Sequence, residues 1–294
     1  MIKKMIIGLG GVGKNISKAI KQFNNQLEIL TIDSSNADFI IQKDNSIGVF
    51  AHEQYEQDYS SIFKDIELGT DSIIFIVSGG SDISGATLSI LSFFKNYKIT
   101  ILYIKPDIKY MSDIMKKQEH VVRNILQEYT RSGLFEKIIL CDNKQISTFL
   151  GKLSLNDYFT KINEIIAFAI CIEIQSQGLE PIWGELTEIF ELNKIQTYGV
   201  FLNNREEFFY PLTTIKKIGE KNKIVEYNLQ KQYIFFESDE TLSSDVDLLD
   251  RINEKITQSK ESPLESSSFA IYSTQQSEEE IVLIRAFTSL VQTT

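Results

Sequence analysis

Short apolar runs rich in Ile and Val alternate with stretches of helical spacing through the first half of the chain. Residues 4–9, 28–33, 72–78, 100–105 and 137–142 read as strands, because continuous apolar runs of this length suit strands covered on both faces. Between them, residues 13–23, 84–94 and 113–129 repeat apolar positions at the helical interval. The alternation predicts a doubly wound parallel sheet. After residue 142 the rhythm changes. Residues 156–177 predict one long helix, apolar at Phe159, Ile162, Ile165, Ile166, Phe168, Ala169 and Ile172 and therefore buried on most sides, as a central spacer between two subdomains would be. In the last third, residues 197–202 and 232–237 read as strands, 244–256 as a helix, and 267–273 with 281–288 as a final hairpin. The polar stretch 257–268 reads as a loop inside that last domain, and no internal repeat is visible. The expected fold class is α/β: a parallel-sheet domain over residues 1–155, a long central helix over 156–178, and a smaller α+β domain over 179–294.

Composition narrows the function classes. A hydrophobic content of 43% is ample for a packed core, and a net charge of −10 without a dense Lys/Arg cluster argues against nucleic acid as a direct partner. The longest apolar stretch, near residues 165–172, is too short to insert in a membrane, and the chain opens into a strand rather than a signal peptide. A soluble, cytoplasmic, unprocessed protein is expected. Cys141 and Cys171 stand in apolar surroundings, and His52 and His120 have no nucleophile partner in view, so neither a metal centre, a disulfide framework nor histidine catalysis is expected.

The chemistry-bearing signal is a glycine loop. Residues 8–15 read Gly-Leu-Gly-Gly-Val-Gly-Lys-Asn, directly after the first strand and directly before the first helix. Gly10, Gly11 and Gly13 let backbone N–H groups approach an anion, and the helix start adds unpaired donors and the positive end of a dipole. A plain strand-to-helix turn needs one or two glycines, not four in six positions. Lys14 is not a Walker lysine, since the spacing before it is wrong. Gly8, Gly10 and Gly13 also satisfy the dinucleotide-binding pattern, with Asp33 placed to hold a ribose, which leaves an NAD-dependent Rossmann-type oxidoreductase as the alternative.

A second loop, Gly79-Gly80-Ser81-Asp82-Ile83-Ser84-Gly85, again joins a buried strand to a helix. Two such loops on one sheet imply a long polyphosphate held from both sides, with Ser81 and Ser84 as hydroxyl donors; a capped Gly/Ser turn is the plainer explanation. On the long helix, Phe159 and Asn163 stand four residues apart on one face, where a ring can stack on a base and an amide can read a guanine edge. Burial of Phe159 in the core is the plainer explanation there.

These pieces in this order resemble the FtsZ/tubulin superfamily of polymerising GTPases. The resemblance rests on residues 8–15, including Asn15 after the last glycine, on the 79–85 loop, on Lys105-Pro106, on Asp142-Asn143, and on Phe159-Thr-Lys-Ile-Asn163-Glu164. Residues 183–190, Trp-Gly-Glu-Leu-Thr-Glu-Ile-Phe, are similar to the family's loop and helix that reach into the next subunit. The resemblance spans residues 1–190 and implies GTP/GDP with Mg2+ as ligand, head-to-tail self-assembly into filaments as partner relation, and hydrolysis completed by Glu185 of a neighbouring subunit, with Glu180 or Glu188 assisting. A carboxylate at position 185 is also what a nearby helix N-terminus would favour. Departures are concrete: Ser81, Asp82 and Ile83 do not fit the family's second loop, and an acid beside phosphates is unfavourable unless a cation intervenes or Asp82 turns outward. Ile182 or Trp183 stands where a second interface acid is expected, and no charged tail is recognisable in residues 288–294, so no tail-recruited partner is implied. The expected function is a GTP-binding, filament-forming cytoskeletal protein; a nucleotide-bound adaptor without turnover is a third possibility.

Overall fold

The computed structural model describes residues 4–64, 66, 68–202, 205–218, 223–258, 264–275 and 280–293. The expected leaderless start at residues 1–3 and the centre of the predicted polar loop, residues 259–263, lie outside them. The chain divides into two compact units, Met1–Cys171 with Val291–Thr294, and Ile172–Leu290.

The first unit runs β1 (Lys4–Leu9), α1 (Gly10–Phe23), β2 (Glu28–Asp33), β3 (Phe39–Ile40), α2 (Ser60–Phe63), β4 (Ser72–Ser78), α3 (Thr87–Phe93), β5 (Lys98–Lys105), α4 (Asp113–Arg131), β6 (Lys137–Asp142), α5 (Asn143–Leu150) and most of α6 (Leu155–Ser176). Its strands lie parallel in the order β3-β2-β1-β4-β5-β6. Every residue of β4 is buried, as the absence of alternation in its sequence requires. Helix α1 buries Ile16, Ala19 and Ile20, at about 1.5–3 kcal/mol for each fully buried large aliphatic side chain. The helix begins three residues earlier than its apolar spacing predicts, because the glycines of the first loop themselves form its first turn. The expected helix at 84–94 is a tight 3-10 turn, Asp82–Ala86, followed by α3. Of the apolar face expected for α6, Ile162, Ile166 and Ala169 are buried, whereas Phe159 is 58% exposed.

The second unit follows with β7 (Trp183–Glu185), β8 (Ile195–Leu202), β9 (Arg205–Phe208), β10 (Ile215–Ile218), β11 (Lys223–Glu226), β12 (Leu229–Ser238), α7 (Asp239–Ser244), α8 (Leu248–Gln258), β13 (Glu265–Thr274) and β14 (Ile281–Thr288). The expected final hairpin does not form. β12 lies between β13 and β14, parallel to the first and antiparallel to the second, because its interior residues are buried on both faces and need a neighbour on each edge. Glu265 and Ser266, expected in a loop, belong to β13, and Thr257 and Gln258 to α8. The expected helix at 244–256 is also broken. Ser243 and Ser244 turn their hydroxyls back to the carbonyls of Asp239 and Glu240, α7 ends there, and the chain restarts as α8 at Leu248. Leu248, Ile252 and Ile256 of α8 pack with Tyr233, Phe235, Ile271 and Ile284. No helix among the described residues is long and apolar enough to cross a membrane.

Residues 186–190 correct a further expectation. Leu186, Ile189 and Phe190 have helical spacing, yet the backbone is not helical. The N–H of Thr187 donates to Ser268 Oγ at 3.0 Å and that of Phe190 to Gln230 Oε1 at 3.0 Å, while Gln230 and Gln232 donate to the carbonyls of Glu188 and Thr187. Side chains of β12 and β13 thus capture the groups a helix would have paired within itself.

Candidate functional site

In a parallel sheet, ligands bind beyond the carboxyl ends of the strands, where the connections to the helices diverge. The first unit brings both glycine loops to that edge, one after β1 and one after the adjacent β4. The two loops touch. Gly10 adopts φ +70°, and a Cβ there would come within 2.8 Å of Ile83 in the second loop. Gly13 sits against the Ile76 carbonyl of β4, where a Cβ would approach to 2.8 Å. Gly11 differs from both, since a Cβ on it meets nothing within 4 Å and its φ lies outside the left-handed region. Open space beside Gly11 and close packing around Gly10 and Gly13 form a cradle with a fixed floor.

The helix ends at this edge are not equivalent. Ser112 caps α4 and Asp142 caps α5, each accepting from backbone N–H groups of its helix. Helix α1 follows Leu9 with no side-chain cap and no acid in its first turn, which leaves its leading N–H groups for an anion. Asn15 is exposed one turn into that helix.

The second loop is held from below. Gly79 and Gly80 are buried; a Cβ on Gly79 would meet Tyr103 Oη at 2.0 Å, and one on Gly80, with φ +82°, would meet the Met111 side chain at 2.2 Å. Tyr103 donates to Glu119, which pairs with Arg123 at 2.8 Å, and Arg123 donates to the Gln292 carbonyl at 2.6 Å. Ser81 is exposed. Ser84 is buried, its hydroxyl donating to the Ser81 carbonyl at 2.6 Å and accepting from Gln118 at 2.9 Å, so it braces the loop. Gly85 is packed on the His52 carbonyl, where a Cβ would come within 2.0 Å.

Asp82 turns outward to Lys43, with Nζ at 2.9 Å, and this contact raises the lysine above its ordinary pKa. Asp33 is occupied on both oxygens: Lys14 donates to Oδ2 at 2.6 Å and the Ser34 N–H to Oδ1 at 2.8 Å. Asp142, beside β5 in register with Lys105, pairs with that lysine at 3.1 Å. Each Asp33 oxygen keeps a further lone pair beside these partners, so the pairing with Lys14 does not by itself decide what the acid could hold, and the strand order alone suits a dinucleotide equally well. These three carboxylates each carry a lysine, and no group of three His, Cys, Asp or Glu among the described residues is placed to hold an ion. The gaps between the partners, 14 to 33 and 43 to 82, have no signature in a sequence. Asn143, just after β6, is buried, and its Oδ1 takes no protein hydrogen bond.

The start of α6 reaches this edge, since the Tyr158 phenol is buried near Asp107 and Asp142 and is pushed up in pKa mainly by that burial. Phe159 next to it is exposed and Asn163 half-buried. Glu185, Glu180 and Glu188 belong to the second unit and are all exposed. Glu185 sits on β7, opposite Phe269 of β13, and not at a helix N-terminus.

Architecture and comparison agree. Over 98% of this chain and 88% of the other, the structure matches an empty FtsZ dimer from M. jannaschii, with a TM-score of 0.66 at 12% identity. The fold is that of FtsZ and tubulin. TubZ of Bacillus thuringiensis serovar israelensis, in GDP-form protofilaments, matches over 99% of this chain and 89% of its own with TM-score 0.63 at 12% identity. CetZ2 from Haloferax volcanii, in a GTPgS-bound protofilament, matches over 97% and 92% with TM-score 0.62 at 13% identity. No protein-family model matches the sequence, and no curated protein does. At such identities the tubulin/FtsZ-like fold is shared while side chains have diverged, as the 79–85 loop shows.

Proposed function

We propose that this chain is a cytoplasmic GTP-binding protein that assembles head to tail into filaments. The observation that carries this is the meeting of two glycine loops, Gly10 against Ile83, before an uncapped helix start at the carboxyl edge of a parallel sheet. Gly10, Gly11, Gly13 and Asn15 hold one side of the phosphate chain, and Gly79, Gly80, Ser81 and Gly85 the other, with Ser84 bracing the second loop. The structurally similar FtsZ, CetZ2 and TubZ are described as dimers or protofilaments, two of the three with nucleotide named, which supports the same ligand class and self-association here.

Base selection falls to Phe159 and Asn163. An exposed phenyl ring stacks on a purine, and an amide four residues on reads its edge. Asn163→Ala is expected to weaken GTP binding and to narrow the GTP-over-ATP preference about tenfold, since the base edge loses its paired hydrogen bonds. Competition binding with both nucleotides measures it, and an unchanged affinity ratio removes Asn163 from this role.

Turnover falls to Glu185 of the next subunit. Its carboxylate is exposed on an extended segment beside the exposed apolar side chains Ile182, Trp183 and Phe190, a surface suited to a subunit contact, and it orients a water for attack on the terminal phosphate. Phosphate release should rise faster than linearly with protein concentration. Glu185→Ala is expected to slow it about 100-fold while GTP affinity holds; release linear in protein and indifferent to the substitution would place hydrolysis within one subunit.

A further inference from the structure

The second unit holds a cavity of about 460 Å3 that has no part in the site described above. Its floor is the sheet face where Thr197 of β8, Ala286 of β14 and Lys231 of β12 stand side by side in register. Because Ala286 is short, the space over it stays open. Lys231 and Tyr233 alternate along β12 with Gln230 and Gln232, whose side chains bond to the backbone of Thr187, Glu188 and Phe190, so the cavity lies on the sheet face opposite that segment.

Ionised groups are built into its wall. Lys231 donates to Glu206 at 2.6 Å and pairs with Glu265 at 3.0 Å, Tyr233 donates to the other oxygen of Glu206 at 2.5 Å, and the Lys231 ammonium stands 5.4 Å from the centre of the Phe208 ring. Lys231, Glu265 and Tyr233 are buried. Burial, with the Glu206 carboxylate beside it, keeps the Tyr233 phenol protonated well above its ordinary pKa and so a fixed donor. Packing does not call for such a cluster, since apolar side chains of similar volume often stabilise a core as well; what it supplies is a rigid polar wall.

Two charges at the mouth are uncommitted. Arg205 and Glu207 line the cavity from the same side of β9, and neither side chain has an ion-pair or hydrogen-bond partner among the described residues. Alternate residues stand about 7 Å apart along a strand, so one small molecule can meet both of these long side chains. An anion alone would face the carboxylates of Glu206 and Glu207, and a cation alone the Arg205 guanidinium and the Lys231 ammonium, whereas a molecule with one charge of each sign suits both. Beside these charges the lining is apolar, with Phe208, Leu212 and Leu229.

The geometry points to a binding site for a free α-amino acid with an apolar side chain, its carboxylate on Arg205, its ammonium on Glu207, and its side chain over Ala286 against Phe208, Leu212 and Leu229. The site lies within one unit and does not depend on the nucleotide assignment.

The test is calorimetric titration of the full-length protein with L-leucine, with 4-methylpentanoate, which lacks its ammonium, and with 3-methylbutylamine, which lacks its carboxylate. L-Leucine is expected to bind at least about tenfold more tightly than either. Arg205→Ala is expected to weaken L-leucine about tenfold and to erase its advantage over 3-methylbutylamine, and Glu207→Gln to erase its advantage over 4-methylpentanoate, whereas loss of a merely structural contact would weaken all three ligands alike. Arg205 is exposed and Glu207 half-buried, so both variants should fold, and their thermal midpoints check it. Absence of L-leucine binding at millimolar concentration overturns the inference. So does equal affinity for the three ligands, or an L-leucine affinity that either substitution leaves unchanged.

Discussion

Gly11→Val is expected to abolish nucleotide binding, by at least about 100-fold, while the melting temperature stays within about 2 °C of wild type. The reason is local. A Cβ at Gly11 meets no protein atom within 4 Å, its φ needs no glycine, and valine is a better helix former than glycine, so the fold loses nothing. What fills is the open space before the first N–H groups of α1, where a phosphate would sit. Gly13→Val supplies the contrast: its Cβ would lie 2.8 Å from the Ile76 carbonyl and 2.9 Å from the Gly8 backbone, and that protein should unfold. Calorimetric titration with GTP and thermal denaturation of the two variants together separate a lost ligand from a lost fold. Wild-type affinity in Gly11→Val would remove the first loop from the site.

Arg123→Met is expected to destabilise the first unit by about 3–5 kcal/mol, because it strands the Glu119 carboxylate in the interior. Both side chains are almost wholly buried, at 2% and 3% exposure, and Arg123 additionally holds the Gln292 carbonyl, tying the end of the chain to α4. Urea denaturation of the first unit measures the loss. Glu119→Gln in the same chain should return part of it, since the stranded charge is then gone. Because Gly79 packs on Tyr103 and Glu119, the single variant should also bind nucleotide more weakly at temperatures where it is still folded. A stability within about 1 kcal/mol of wild type would show that water reaches this pair.

What the sequence discloses here follows from what leaves a periodic trace. Five of the six strands of the first unit are largely buried apolar runs, and of these only the start of β5 differs from its expected position, by two residues; the two-residue β3 leaves no such run and was not foreseen. The glycine loops were legible because each falls between such a run and a helix. Pairing across distance leaves no trace. The contacts of Lys14 with Asp33 and of Lys43 with Asp82 belong to no period and so could not be read from the sequence. Residues 186–190 misled in the opposite sense: the resemblance implied a helix there, yet Gln230, Gln232 and Ser268 reach in and pair the backbone groups that a helix would have paired within itself. The supposed terminal hairpin failed for a related reason, since nearness in sequence favours β13 beside β14 while the need of β12 for two edges keeps them apart.

That placement of β12 bears on how the second unit can form at all. Its central strand pairs Leu229 with Glu265 on one edge and Gln230 with Phe287 on the other, so neither ladder can start as a local turn and zip outward. Loop closure must come before any of those pairings is rewarded, which places this unit among slow-folding topologies and leaves both edges of an apolar strand, Tyr233 to Phe236, transiently open on a nascent chain. During synthesis the first unit's β1–β6 sheet is complete well before β14 emerges, and the interval in between is when an Ile/Phe-rich strand without partners is most prone to aggregate.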